Sequence, residues 1–268
     1  MLRISLVDFL NARPLTWGLL HEPPAEVAVS RDLPSVCAAK LAAGEADVGL
    51  IPSIEYQRIP GLTVVPSLGI AASSEVRSVL LVSKVSREKI GTVALDPASR
   101  TSAALARILL SRRYGVAAKY AEASGTDAEA ADARLVIGDP ALKTRQNGYV
   151  VLDLAAEWRA FTGRPFVFAF WAVRAGADAY AAERIVRESY DRGRADFARL
   201  VREEAAESGL SEAVVEDYLR YSLRFELDRG DLGALELFYR LAADEGLIPE
   251  PRPLELLGRL PAPSQSPA

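Results

Sequence analysis

Cysteine and histidine are almost absent: Cys37 and His21 are the single examples of each in 268 residues. One cysteine cannot close an internal disulfide, so nothing marks the chain for an oxidising compartment. No His/Cys cluster exists to hold zinc. His21 lies beside Glu22 and two prolines and reads as a solvated loop residue, which argues against a histidine-dependent triad or dyad. Cys37 occupies an apolar helical position and reads as buried and inert. A GxSxG elbow, a P-loop and a GxGxxG turn are also missing. No metal and no cofactor are expected.

An excess of positive charge is lacking too. Lys and Arg number 32 against 36 Asp and Glu, a net charge of −4. Such a surface repels polyanions on average, so neither nucleic acid nor an anionic membrane is an expected partner. A small anionic ligand stays open, because a local pocket can oppose the global charge. No apolar run approaches the roughly 20 residues that span a bilayer. The opening MLRISLVDFLNARPL has no basic segment ahead of an unbroken apolar core, and Asn11, Arg13 and Pro14 interrupt it. It reads as a strand and turn, not a secretory signal, and a cytoplasmic location is expected.

What is present is ordinary globular composition, 50% hydrophobic and 25% charged. The length suits one large domain or two lobes with separate cores. Short β-rich runs at Leu2–Val7, Val27–Val29 and Val48–Ile51 alternate with helical patterns, one of them opened by Asp32 as N-cap and closed by Gly44. That alternation predicts an α/β unit with a largely parallel sheet. After the apolar run Ser78–Ser83 the pattern restarts. Strands are predicted at Thr92–Leu95, Val116–Tyr120, Leu135–Ile137 and Val150–Leu152, with a helix over Ser102–Arg113. Phe166–Val173 (FVFAFWAV) is a second long apolar strand, in which Trp171 reads as core. From Asp178 to about Leu247 the chain reads as helical, with Ser211 and Asp228 as N-caps, and the last residues of the tail 249–268 read as disordered. These signals predict two lobes with a cleft between them. Residues 1–82 plus 169–268 form the first lobe and the insert 83–168 the second, with the two long strands as the crossing.

The candidate chemistry lies in turns. Asp96–Ser102 (DPASRTS) follows a strand and opens a helix, bringing Ser99, Thr101, Ser102 and free N–H groups to a helix N-terminus, where a carboxylate or phosphate is favoured. An ordinary capped helix start is an equally good reading. Ser53 in IPSI reads as a plain N-cap, and Asp139 in GDPALK as a cap ahead of Pro140. Asn11 follows the first strand at the carboxyl edge of the sheet, where ligands of open α/β sheets collect, although Asn is also a common turn residue. Ser78 opens the first long strand, and by default its hydroxyl is satisfied there. Arg77 and Arg100 flank the same region, each an exposed or paired arginine by default.

The segments VDFLNARPL, GEADVGLIPSIEY, SSEVRSVLLVSK, VALDPASRTS, VIGDPALK and DLAAEWRAFTGRPFVFAFWAVR together resemble the chorismate dehydratases of the futalosine route to menaquinone. The matches run in order from Ser5 to Arg174. The resemblance implies an α/β, two-lobed, periplasmic-binding-protein-like (type II) fold and a lyase that dehydrates chorismate to 3-[(1-carboxyvinyl)oxy]benzoate. It assigns a catalytic role to Asn11 and substrate binding to Ser53, Ser78, Ser99, Arg100, Thr101 and Ser102. Asp8 and Phe9 depart from the small or tyrosyl residues common there, a difference in the pocket wall. A solute-binding protein for a small carboxylate is the rival of another class, disfavoured by the missing export signal. The sister 1,4-dihydroxy-6-naphthoate synthase relies on a histidine that His21 is poorly placed to supply.

Overall fold

A computed structural model of the chain describes residues 1–122, 128–144 and 148–258. The end of the tail, expected to be disordered, lies outside the described residues.

Two sheets organise the chain. The first contains β1 (Leu2–Val7), β2 (Val27–Asp32), β3 (Val48–Pro52), β4 (Leu62–Ala72), β10 (Phe166–Arg174) and β11 (Arg224–Glu226), in the order β11-β4-β10-β3-β1-β2. The second contains β5 (Val79–Ser83), β6 (Thr92–Leu95), β7 (Lys119–Glu122), β8 (Ala133–Ile137) and β9 (Val150–Asp153), in the order β7-β6-β8-β5-β9. β1 runs parallel to β2 and β3, and β6 parallel to β7 and β8. The largely parallel expectation holds for those strands alone. β10 is antiparallel to β3 and β4, and β5 to β8 and β9, so each sheet is mixed.

The two long apolar runs are interior strands, which explains why neither alternates: both faces of each are covered. All of β5 and all of β10 up to Val173 are buried. They do not form the crossing. β5 belongs to the second sheet and β10 to the first, because each finds its hydrogen-bonding partners there. The division expected at 82/83 and 168/169 therefore cuts near or through these strands, whereas the chain passes between sheets in 73–78 and before Phe166.

β4 and β11 were not expected. Pro66, Ser67 and Gly69 break the β-pattern of β4, and the structure uses the break. Ser67 has φ of 67°, the pairing with β10 shifts register, and a Cβ at Gly69 would lie 2.6 Å from the Ala169 carbonyl oxygen.

The helices are α1 (Arg13–His21), α2 (Pro34–Ala43), α3 (Glu55–Arg58), α4 (Arg100–Ile108), α5 (Asp139–Leu142), α6 (Leu154–Thr162), α7 (Ala179–Ala195), α8 (Phe197–Ser208), α9 (Glu212–Asp217) and α10 (Arg229–Asp244). α4 runs on through a wider turn to Arg113, and α9 likewise to Ser222. Ser211 and Asp228 cap α9 and α10 as expected, and Gly44 ends α2 in the left-handed conformation. Asp32 does not cap α2. Leu33 holds that position, while the Asp32 carboxylate accepts from Ser5, Ser30 and Lys40. His21 is exposed, as expected, but it ends α1 and does not lie in a loop, with its ring 3.8 Å from that of Trp17 and Nε2 3.1 Å from Glu203. Cys37 is fully buried, and burial pushes its thiol up to about 12. Among the described residues no helix is long and apolar enough to cross a membrane.

Candidate active site

A cavity lies between the two sheets and encloses about 540 Å3, counting the part open to solvent. The first lobe contributes Val7 and Phe9 from the end of β1, Asn11 from the single turn Leu10–Ala12, Pro34, Pro52, Ile70, Phe168 and Ala169. The second contributes Val76, Ser78, Val79, Ser99, Thr101, Ser102, Ile137 and Gly138. The wall is thus apolar except for a carboxamide and four hydroxyls, and none of the lining residues carries an ionisable side chain.

Backbone geometry brings these groups together. The carboxyl ends of β1 and β3 open toward the cavity, as open α/β sheets require of a ligand site. β6 delivers the 96–102 turn, and α4 begins at Arg100, so its first N–H groups lack intrahelical acceptors on that side. Gly138 has φ of 63°, and a Cβ there would meet the Phe9 ring at 3.3 Å. Glycine therefore lets the two lobes touch at this point. Beside it, the Leu10 N–H donates to Asp139 Oδ1 across 3.2 Å. Burial raises the Asp139 carboxyl against the lowering effect of that bond. Asp139 is the first residue of α5 and not its cap, a position held by Gly138.

The hydroxyls differ in how they are bonded. Ser99 donates to Ser102 Oγ at 2.7 Å. Thr101 Oγ1 accepts from the Ile54 N–H at 3.2 Å, joining the lobes. Ser78 Oγ accepts from Tyr218 at 2.7 Å. Asn11 Oδ1 is buried without a hydrogen-bond partner among the described residues. A buried amide oxygen left bare costs free energy unless a ligand or water completes it.

Of the residues singled out from sequence, the cavity gathers Asn11, Ser78, Ser99, Thr101 and Ser102 and leaves out Ser53 and Arg100. Ser53 is fully buried behind Thr101, 3.5 Å from its hydroxyl, and donates to the Val167 carbonyl at 2.8 Å. It caps no helix, since Ile54 precedes α3. Arg100 points to the other face of α4. Four consecutive residues spread around one helical turn and cannot share one side. There Arg100 pairs at 2.7 Å with Glu55, a buried carboxylate also held by Arg58 at 2.7 Å. Arg77 lies outside the wall and pairs with Asp217. The resemblance already put Phe9 in the pocket wall, and the cavity bears that out; sequence reasoning missed Phe168 and the hydroxyl of Tyr218. The unbroken apolar run of β10 pointed to a buried Phe168 without telling core from cavity, and nothing local marked Tyr218.

Comparison with known proteins bears on this cavity. Residues 2–244 match the model of a family described as menaquinone biosynthesis. A chorismate dehydratase of Thermus thermophilus is 29% identical over 263 residues, covering 88% of this chain and 93% of the relative. One from Campylobacter jejuni is 31% identical over 169 residues, covering 61% and 63%. Among solved structures, an Archaeoglobus fulgidus protein superposes with a TM-score of 0.75 at 18% identity, over 92% of this chain and 98% of the other. The periplasmic aliphatic sulphonate binding protein SsuA of Escherichia coli gives 0.63 at 17% identity, over 100% and 96%. The fold is that of the periplasmic binding proteins, with two lobes and a cleft.

Proposed function

The chain belongs to the menaquinone biosynthesis family, and from that membership and its cavity we propose that it is a lyase removing water from chorismate to give 3-[(1-carboxyvinyl)oxy]benzoate. Two named chorismate dehydratases among its relatives support the reading. The observation that carries it is the wall itself: hydrogen-bond donors from two facing lobes, in an otherwise apolar enclosure, with no ionisable side chain among the lining residues. Such a wall suits a dianion whose own chemistry needs position more than a protein base.

The hydrogen at C3 of chorismate is vinylogous to the ring carboxylate, so its removal spreads charge into that carboxylate. The C4 hydroxyl then leaves with its electron pair, a C3–C4 double bond forms, and the ring becomes aromatic. The C3 hydrogen and C4 hydroxyl share one ring face, which suits a stepwise route through the carbanion. Donors aimed at the growing charge supply the catalysis, each worth about 3 kcal/mol in an enclosed site. The hydroxyls of Thr101 and Ser102 at the start of α4 are the donors for the carboxylates, joined by Ser78, while Ser99 gives its proton to Ser102 and strengthens the bond that Ser102 gives. In this reading the enolpyruvyl carboxylate of the substrate takes the C3 proton. Asn11, whose amide oxygen has no partner among the described residues, accepts from the C4 hydroxyl through that oxygen or holds the carboxylate through its amide N–H groups. Proton and hydroxide leave as water, and contact of the lobes keeps bulk water out and fixes the reactive conformer. Ser53 and Arg100 support the site from behind, through Thr101 and Glu55. The reaction is placed in the cytoplasm, on a small-molecule substrate alone.

Purified protein incubated with chorismate should yield a benzoate lighter by one water, read by mass spectrometry. Chorismate recovered unchanged, or bound without conversion, would return the chain to the solute-binding class that shares its fold.

A further inference from the structure

We infer that Tyr218 is a positioning residue for this reaction, one that fixes the direction in which the Ser78 hydroxyl presents its proton. The inference rests on the dehydration proposed above.

Tyr218 lies in the wide turn that follows α9 and is buried, with its hydroxyl 2.7 Å from Ser78 Oγ. Either hydroxyl can donate in principle, and burial decides which one does. Were Ser78 the donor, the phenol proton would be left in a dry interior with no acceptor among the described residues, a costly arrangement. Tyr218 therefore donates, and burial pushes its phenol well above the ordinary range, so it remains a donor wherever the fold holds. Ser78 keeps one proton. No protein acceptor among the described residues takes it, and Ser78 lines the cavity, so the proton is directed at the ligand. Accepting one hydrogen bond also polarises the hydroxyl and strengthens the bond it gives.

The consequence is chemical selectivity. A serine locked in this way offers a donor to an anionic oxygen and resists a group that must itself donate. The bond also joins the segment leading into β11 of the first sheet to the residue just before β5 of the second. The donor is thus set where the two lobes meet.

The test is a double-mutant cycle on chorismate turnover with Tyr218→Phe, Ser78→Ala and both together, each variant also checked by thermal melting. Tyr218→Phe should lower kcat about 10-fold to 100-fold, the lower end of what a lost donor costs, with a smaller change in KM. Ser78→Ala should lose at least as much, and the double variant should be no worse than Ser78→Ala alone, because Tyr218 acts through Ser78. A double variant that loses the product of the two single effects would overturn the inference. So would a Tyr218→Phe enzyme with wild-type turnover, or one that does not fold, which would assign the hydroxyl to stability. An inert wild-type protein overturns the dehydration and this inference with it. An active wild type with multiplicative losses overturns the positioning role alone.

Discussion

The turn that closes β3 and the turn that closes β6 face each other across the lobes and are built from similar parts: a proline, a buried serine and the start of a helix. They use those parts differently. In the first, Ser53 gives its proton to the Val167 carbonyl, accepts nothing stronger than a 3.5 Å approach from Thr101, and offers its own carbonyl to Tyr239. Its bonding closes within the first lobe. In the second, Ser102 accepts from Ser99 and keeps its proton for the cavity it lines, and Thr101 accepts from the Ile54 N–H, its own proton having only the 3.5 Å approach to Ser53 as a protein contact among the described residues. Residue type does not separate a structural serine from a ligand-facing one. Where the proton goes does.

The largest effect is expected at Asn11, the one cavity-lining residue with a buried polar atom left without a partner among the described residues. Asn11→Leu keeps the volume and removes the carboxamide, so turnover of chorismate should fall by about 100-fold or more, near 3 kcal/mol of lost stabilisation. Binding of the benzoate product, measured by calorimetry, should stay within a few-fold of wild type. Near-normal turnover in this variant would remove Asn11 from the chemistry and leave the open hydroxyls as the whole site.

A pair of identical substitutions tests the comparison directly. Ser102→Ala should lower kcat/KM roughly 10-fold, toward the low side for a donor in an enclosed site, with little change in melting temperature. Ser53→Ala should do the reverse. It strands the Val167 carbonyl at a cost of about 1 kcal/mol, or about 2–4 °C in Tm for a chain of this size, with turnover within about two-fold. If both variants lose activity and neither loses stability, the two turns are equivalent and the distinction drawn from their hydrogen bonds fails.

How much of this was legible beforehand follows the range of the forces involved. The two long apolar runs and the strand–helix alternation announce an α/β chain because burial writes directly into residue type. Their direction and sheet membership were not written there. Antiparallel β5 and β10 depend on pairings across long stretches of sequence, and β4 is disguised by the Pro66–Gly69 break that its bulged register requires. Of the site, the turn residues were visible as candidates because polar groups next to apolar strands are few. Arg100 could not be separated from its neighbours by sequence, since the carboxylate that turns it away is Glu55, far along the chain. Tyr218 was invisible for the same reason.

The smallest effect is expected far from the cavity, at the opposite end of β1. Arg3 and Asp47 pair there at 2.6 Å, with Arg174 at 3.4 Å. The Arg3 hydrogen bond, opposed in part by desolvation, lowers the Asp47 carboxyl to about 2, below the roughly 3.9 of an unfolded chain. A carboxyl depressed on folding stabilises fully above its unfolded value, and that contribution fades as pH falls through the folded one. Asp47→Asn should therefore lower the melting temperature slightly at pH 7, less than Ser53→Ala does, and the gap to wild type should close as the pH approaches 2. Turnover at pH 7 should not change, since neither partner reaches the cavity. A gap that persists undiminished at pH 2 would mean that Asp47 acts as a neutral hydrogen-bond acceptor and not as a charge. The edge of the sheet would then follow the same rule as Ser53, with bonding closed within the lobe.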